Sequence, residues 1–153
     1  MHIHNYILDS IHFSSIKCYA EAEALDSKNP IFPSNLSAAQ YEIGDYSACT
    51  DAILRSWSRK PDTTLAAKLS TRLAKALCHA AQGGTITASK IKECAPELTA
   101  IEEAGKKLGG GHSENDQAWL LWRQIQSDLQ DHDKLAHEAK VRLSRLPIFR
   151  GTP

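Results

Sequence analysis

Residues 25–57 read LDSKNPIFPSNLSAAQYEIGDYSACTDAILRSW, and their order decides the fold class. Leu25 closes one helix, and Asp26-Ser27-Lys28-Asn29-Pro30 is turn chemistry ending in a residue that cannot continue it. Pro33 suits the first turn of the next helix, where its missing N–H costs nothing. Leu36, Ala39 and Ile43 carry that helix's apolar face, Gly44 stops it, and Tyr46 to Ser58 forms its partner through Cys49, Ile53, Leu54 and Trp57. Such a helix–turn–helix unit cannot bury its apolar faces alone, so it implies stacked neighbours and a concave binding surface.

The flanking segments extend the same pattern. Residues 1–10 read as a short helix with Ile3, Tyr6 and Ile7 on one side. Residues 12–25 read as a second, with Ile16, Tyr19, Ala20 and Ala24 along its face. After the Lys60-Pro61-Asp62 break, Thr64 to Gln82 carries the clearest stripe: Leu65, Leu69, Leu73, Ala76, Leu77 and Ala80. Gly83-Gly84 ends it. Ile86 to Cys94 and Pro96 to Lys107 read as two short helices, followed by a flexible break at Gly109-Gly110-Gly111. Ser113 with Asp116 forms a capping box for a helix through Trp119, Leu120, Trp122 and Ile125. A last helix spans Lys134 to Ser144 through Leu135, Ala139 and Leu143. Leu146-Pro147-Ile148-Phe149 is extended and apolar, as expected of a segment that continues or docks in a longer protein.

The expected fold is therefore all-α, a stack of antiparallel helix pairs in a single domain over residues 1–153. Its best repeat covers 25–82, a less regular helical part 85–145, and a terminal extension 146–153.

Bulk properties narrow the function. With 18 basic and 18 acidic residues the formal net charge is zero, which argues against non-specific binding to nucleic acid or to a membrane surface. No apolar run approaches the ~20 residues needed to span a bilayer. Cys18, Cys49, Cys78 and Cys94 form no CxxC pair, and no secretory h-region opens the chain. The thiols read as buried and structural in a reducing compartment, giving a cytoplasmic or nuclear expectation.

Repeat spacing brings the chain close to a known class. From Pro33, the positions Pro33, Leu36, Ser37, Gln40, Cys49, Ile53 and Pro61 fall on the tetratricopeptide signature. Size class is kept at Leu36, Ser37, Cys49 and Ile53, Pro61 is identical, and Tyr19 and Ala22 lie one period before Ile53 and Ser56. The chain thus resembles tetratricopeptide-repeat (TPR) proteins with a degenerate first repeat, since MHIHNYILDS lacks the usual opening pattern. The combination of NPIFPSNLSAAQYEIGDY, KLSTRLAKAL and RLPIF is similar to the N-terminal helical region of a fungal family, some members of which carry a MYND-type zinc finger downstream. That resemblance covers about Ile16 to Phe149.

The resemblance implies a scaffold that binds a partner protein or peptide, with no cofactor and no catalysis. Co-chaperone members clamp the C-terminal carboxylate of a chaperone peptide between Lys, Asn and Arg side chains, a charge-assisted arrangement. The matching positions here are Asn35, Lys68 and Arg72, with Lys75 extending the cationic edge. Another clamp position falls on His4, and the loop before Lys68 is about three residues longer than the repeat template. The same residues also suit a solvated helix face, with Asn35 bonding a neighbouring turn. The alternative function is a structural N-terminal platform of a larger fungal regulatory protein.

Other motifs point nowhere. His2-x-His4 and His132 with His137 lack the partners of a tetrahedral metal site. Adjacent Cys78 and His79 diverge on a helix. Gly83-Gly84 and Gly109-Gly110-Gly111 lack the Lys-Ser/Thr of a phosphate loop.

Overall fold

A computed structural model of the chain describes residues 2–107 and 113–146, with side chains from Ser10 onward. The Gly109-Gly110-Gly111 break, residues 147–153 and the side chains of Ile3, His4, Tyr6 and Ile7 lie outside what is described. Among the described residues all regular structure is helical: α1 (His2–Leu25), α2 (Ile31–Glu42), α3 (Tyr46–Ser58), α4 (Thr63–Gln82), α5 (Ala88–Glu93), α6 (Ala95–Lys106) and α7 (Glu114–Arg145).

Local chemistry explains most ends. The α1 turn terminates with Asn29 Oδ1 accepting from Ile31 N at 3.0 Å. Gly44 sits at φ +80°, where a side chain is disfavoured, and Asp45 then caps α3 by accepting from Ala48 N. Asp62 does the same for α4 through Leu65 N at 2.8 Å, Thr87 for α5 and Ser113 for α7. Acidic Glu114 and Asp116 open α7, while Arg142 and Arg145 close it, both favourable to the helix dipole.

Two expected breaks are absent. Residues 1–10 and 12–25 join as α1, and the segments around Trp119 and Lys134 join as the 32-residue α7. Neither junction contains Gly or Pro, so nothing interrupts the hydrogen-bond ladder.

The core centres on α4. Its Leu69, Leu73 and Leu77 are completely buried. They meet Cys49 and Ile53 of α3, Ile91 of α5, Leu98 and Ile101 of α6, and Trp119 and Trp122 of α7. Helices α1 to α4 pack each on the next, and α4 also reaches α2, α6 and α7.

The inward face of α1 is rotated from expectation. Ile16 and Tyr19 are half-buried, but Ala20 and Ala24 are exposed and Glu23 takes the inner position. The cause lies on α3: Arg55 grips the Glu23 carboxylate at 3.0 and 3.1 Å, and Arg59 adds a bond at 2.7 Å. Arg59 also donates to Asn29 O, and Ser56 Oγ to Pro30 O, so α3 staples the α1–α2 turn. The Arg55 guanidinium, with Arg59, holds the Glu23 carboxyl below its usual pKa despite desolvation. A depressed pKa means stability present above the ordinary carboxylate range and lost as pH falls through the folded value. Glu23→Gln is expected to cost about 1 kcal/mol at neutral pH, with Arg55 too exposed for more. In urea titrations the difference should shrink as pH falls below the ordinary carboxylate range and through the depressed folded pKa of Glu23, where its side chain becomes as neutral as glutamine.

Candidate functional site

The residues expected to bind a partner sit on α2 and α4. Lys68, Arg72 and Lys75 follow i, i+4, i+7 spacing, which places them along one face of α4. With Tyr41 and Glu42 at the end of α2, and Ala67 and Thr71, they line a groove of about 470 Å³. Asn35 lies in an adjoining concavity of about 240 Å³ with His12, Ser15, Tyr19, Ala38 and Ala39. Glu42 lines both hollows and divides them. The structure therefore unites three of the four candidates and sets Asn35 next door.

The three cations are differently committed. Lys68 is exposed and has no hydrogen bond or ion pair among the described residues. Arg72 is half-buried; its Nη1 donates to Ser34 O at 3.1 Å and Ser37 Oγ at 2.9 Å, tying α4 to α2. Burial lowers the Arg72 pKa, yet the guanidinium stays charged and its other N–H groups are left for a ligand. Lys75 pairs with Glu114 at the start of α7. Glu114 is largely exposed, so this pair is cheap to exchange for an incoming carboxylate.

Tyr41, which lines the groove, belongs to an aromatic cluster. Tyr41 meets Tyr46 edge-on at 5.4 Å, and Tyr46 stacks on His79 at 4.4 Å. Desolvation raises the Tyr41 pKa against the pull of Lys75. The phenol therefore stays neutral.

Cys78 and His79 do not form a catalytic pair. The Cys78 thiol is buried and aimed at Ala118 O, 3.8 Å away, while His79 is held against Tyr46. Burial pushes the Cys49 thiol up to about 12 and raises Cys78 and Cys94 as well. Cys18 departs from the expected burial and is exposed. A disulfide-exchange reagent should thus titrate Cys18 within minutes in the native protein, and all four thiols only in denaturant. Among the described residues no group of three or more His, Cys, Asp or Glu side chains is placed to hold a metal ion. No described helix is long and apolar enough to cross a membrane.

A cleft of about 260 Å³ between α6 and α7 also has a charged wall, lined by Glu102, Trp119, Trp122 and Arg123 among others. Its carboxylate is already paired with Arg123 and lies 3.5 Å from Lys106.

No family model matches the chain. No curated protein and no solved structure matches it either. The groove's chemistry is therefore the ground for a functional reading.

Proposed function

We propose that the chain is a non-catalytic protein–protein interaction module, a TPR-like scaffold whose α2–α4 groove takes an extended acidic peptide by its C-terminal carboxylate. The observation that carries this reading is the alignment of Lys68, Arg72 and Lys75 along one groove wall, with Lys68 unpaired among the described residues. Lys68 is the free cation, Arg72 a fixed one held by α2, and Lys75 an exchangeable one. Glu42 opposes an anion, which drives the carboxylate toward Lys68 and Lys75 and leaves Asn35 for a more distant part of the peptide. The partner class is a protein or peptide with an acidic terminus, as a chaperone tail has.

Arg72→Ala is a poor probe, because it also strands Ser34 O and Ser37 Oγ. Lys68→Glu reverses a charge that no described contact uses. Fluorescence anisotropy at low salt, with a labelled peptide ending in Glu-Asp, is expected to show binding that amidation of the terminus removes. Lys68→Glu should weaken binding by about tenfold or more, and Glu42→Gln should strengthen it severalfold. No measurable binding at low salt sinks the clamp.

A structural platform is the second reading. It is favoured by the distal half of α7, where Leu135, Leu143 and Leu146 are 65%, 50% and 46% exposed.

A further inference from the structure

Among the described residues, helix α7 is buried against the bundle only along its first half. Asn115, Trp119 and Trp122 are buried, and Ala118, Ile125 and Leu129 are partly so. From Gln130 to Lys140 every residue is exposed. The projecting stretch to Leu146 is about 25 Å long, and a helix of that length has little stability without a partner.

Its sequence continues the seam that the bundle uses. Trp122, Ile125 and Leu129 face the core, and the same alternation of three and four continues through His132, Ala136, Ala139, Leu143 and Leu146. A heptad spacing that runs off the end of a bundle, here through His132, two alanines and two leucines, suits a helix that meets another helix. Leu135 flanks this seam and is the most exposed of its leucines.

Charge selects the partner. Asp131 and Asp133 lie near the start of the projecting stretch and Lys140, Arg142 and Arg145 near its end, with Lys134 and Glu138 between them. We propose that this face binds the same face of a second copy of the chain, with the two α7 helices antiparallel. The register is set by the seam itself. His132 faces Leu143 of the second copy and Ala136 faces its Ala139, while Leu129, partly covered by its own bundle, marks the end of the overlap. Both layers, with their symmetry mates, share one two-fold axis between His137 and Glu138. The two small Ala layers at the centre let the backbones come close. In this register Asp133, which flanks the seam, lies beside Lys140 of the second copy, and the contact occurs twice. A parallel pair would instead set Asp128 beside Asp133 of the second copy and Lys140 beside its Leu135, losing the opposite-charge contact, so the pattern disfavours that alternative. The short overlap places the interface in the weak class, under about 1,200 Å².

Sedimentation equilibrium of the full chain tests the pairing, with an expected dimer dissociation constant on the order of tens of micromolar. Leu143→Asp should weaken it by about tenfold or more, while circular dichroism and native thiol reactivity stay unchanged because Leu143 lies outside the bundle core. Lys140→Glu should weaken it too, and adding Asp133→Lys in the same chain should restore it. A spin label at Gln130→Cys in a Cys18→Ser background should report a separation of roughly 25 Å in the antiparallel dimer, against under about 15 Å in a parallel one. A chain that stays monomeric to about 500 µM overturns the proposal and returns this face to the platform reading. A dimer insensitive to Leu143→Asp, or one with the short label distance, overturns it as well.

Discussion

Replacing Trp119 by alanine is expected to lower the unfolding free energy by about 3–5 kcal/mol, a large share of the ~5–15 kcal/mol available to a domain of this size. Trp119 is 2% exposed and packs beside Trp122 against α4. Its removal opens a large cavity, and it also breaks a polar chain. Trp119 Nε1 donates to Ser70 Oγ at 3.0 Å, Ser70 Oγ donates to Asn115 Oδ1 at 2.8 Å, and Thr71 Oγ1 adds a bond to the same oxygen at 3.2 Å. Ser70 and Asn115 are themselves buried, so the lost donor is not replaced by water. Trp119→Phe separates the two contributions: it keeps most of the ring and removes the N–H. It should cost about 1–2 kcal/mol from the lost hydrogen bond and a smaller cavity. Urea unfolding followed by circular dichroism at 222 nm measures both variants without relying on the altered fluorophore. A cost for Trp119→Ala near that of an exposed site would show that α7 is not seated on α4 as described.

The helix punctuation was legible because it is written locally. Pro30, Gly44, Pro61 and Gly83-Gly84 forbid or disfavour helix where they stand, whatever the tertiary structure. The false breaks in α1 and α7 came from lapses in apolar periodicity. Periodicity reports what a helix is packed against, not whether the helix persists. Around Gln130 the stripe thins because α7 has left the bundle, yet no residue there ends a helix. The rotated face of α1 was hidden for a related reason. A glutamate on an inner face is unexpected until Arg55 and Arg59, on a helix about thirty residues later, are brought against it.

The candidate site was legible to the same depth. Lys68, Arg72 and Lys75 share a face by helical arithmetic alone. Their different commitments could not be read that way, because Ser34, Ser37 and Glu114 lie far along the chain. Asn35 and Glu42 are seven apart on α2, two turns along one face. Which hollow each of them serves depends on how α1 and α4 are seated on either side of that helix. The sequence carries no sign of that seating.

The seating of α6 on α4 and α7 leads to the second large effect. Gly105→Val is expected to destabilise the chain by about 3 kcal/mol, and Gly105→Ala by about 1–2 kcal/mol, although alanine alone would favour a helix by ~1 kcal/mol. Gly105 is buried within α6, and a Cβ there would stand 2.2 Å from Ser70 Oγ and 2.7 Å from both terminal atoms of Asn115. The conflict is one of space alone, since α6 meets the Ser70–Asn115–Trp119 chain at this point. Neither neighbour can swing away cheaply, because each is held by the hydrogen bonds that fix Trp119. Ser70→Ala removes the nearest atom, so the Gly105→Ala, Ser70→Ala pair should cost less than the sum of the two single changes. Additive costs in a urea-unfolding cycle would place Gly105 outside the polar junction. A favourable coupling of about 1 kcal/mol would show that one glycine sets how closely α6 approaches the two helices that carry the groove cations and the projecting seam.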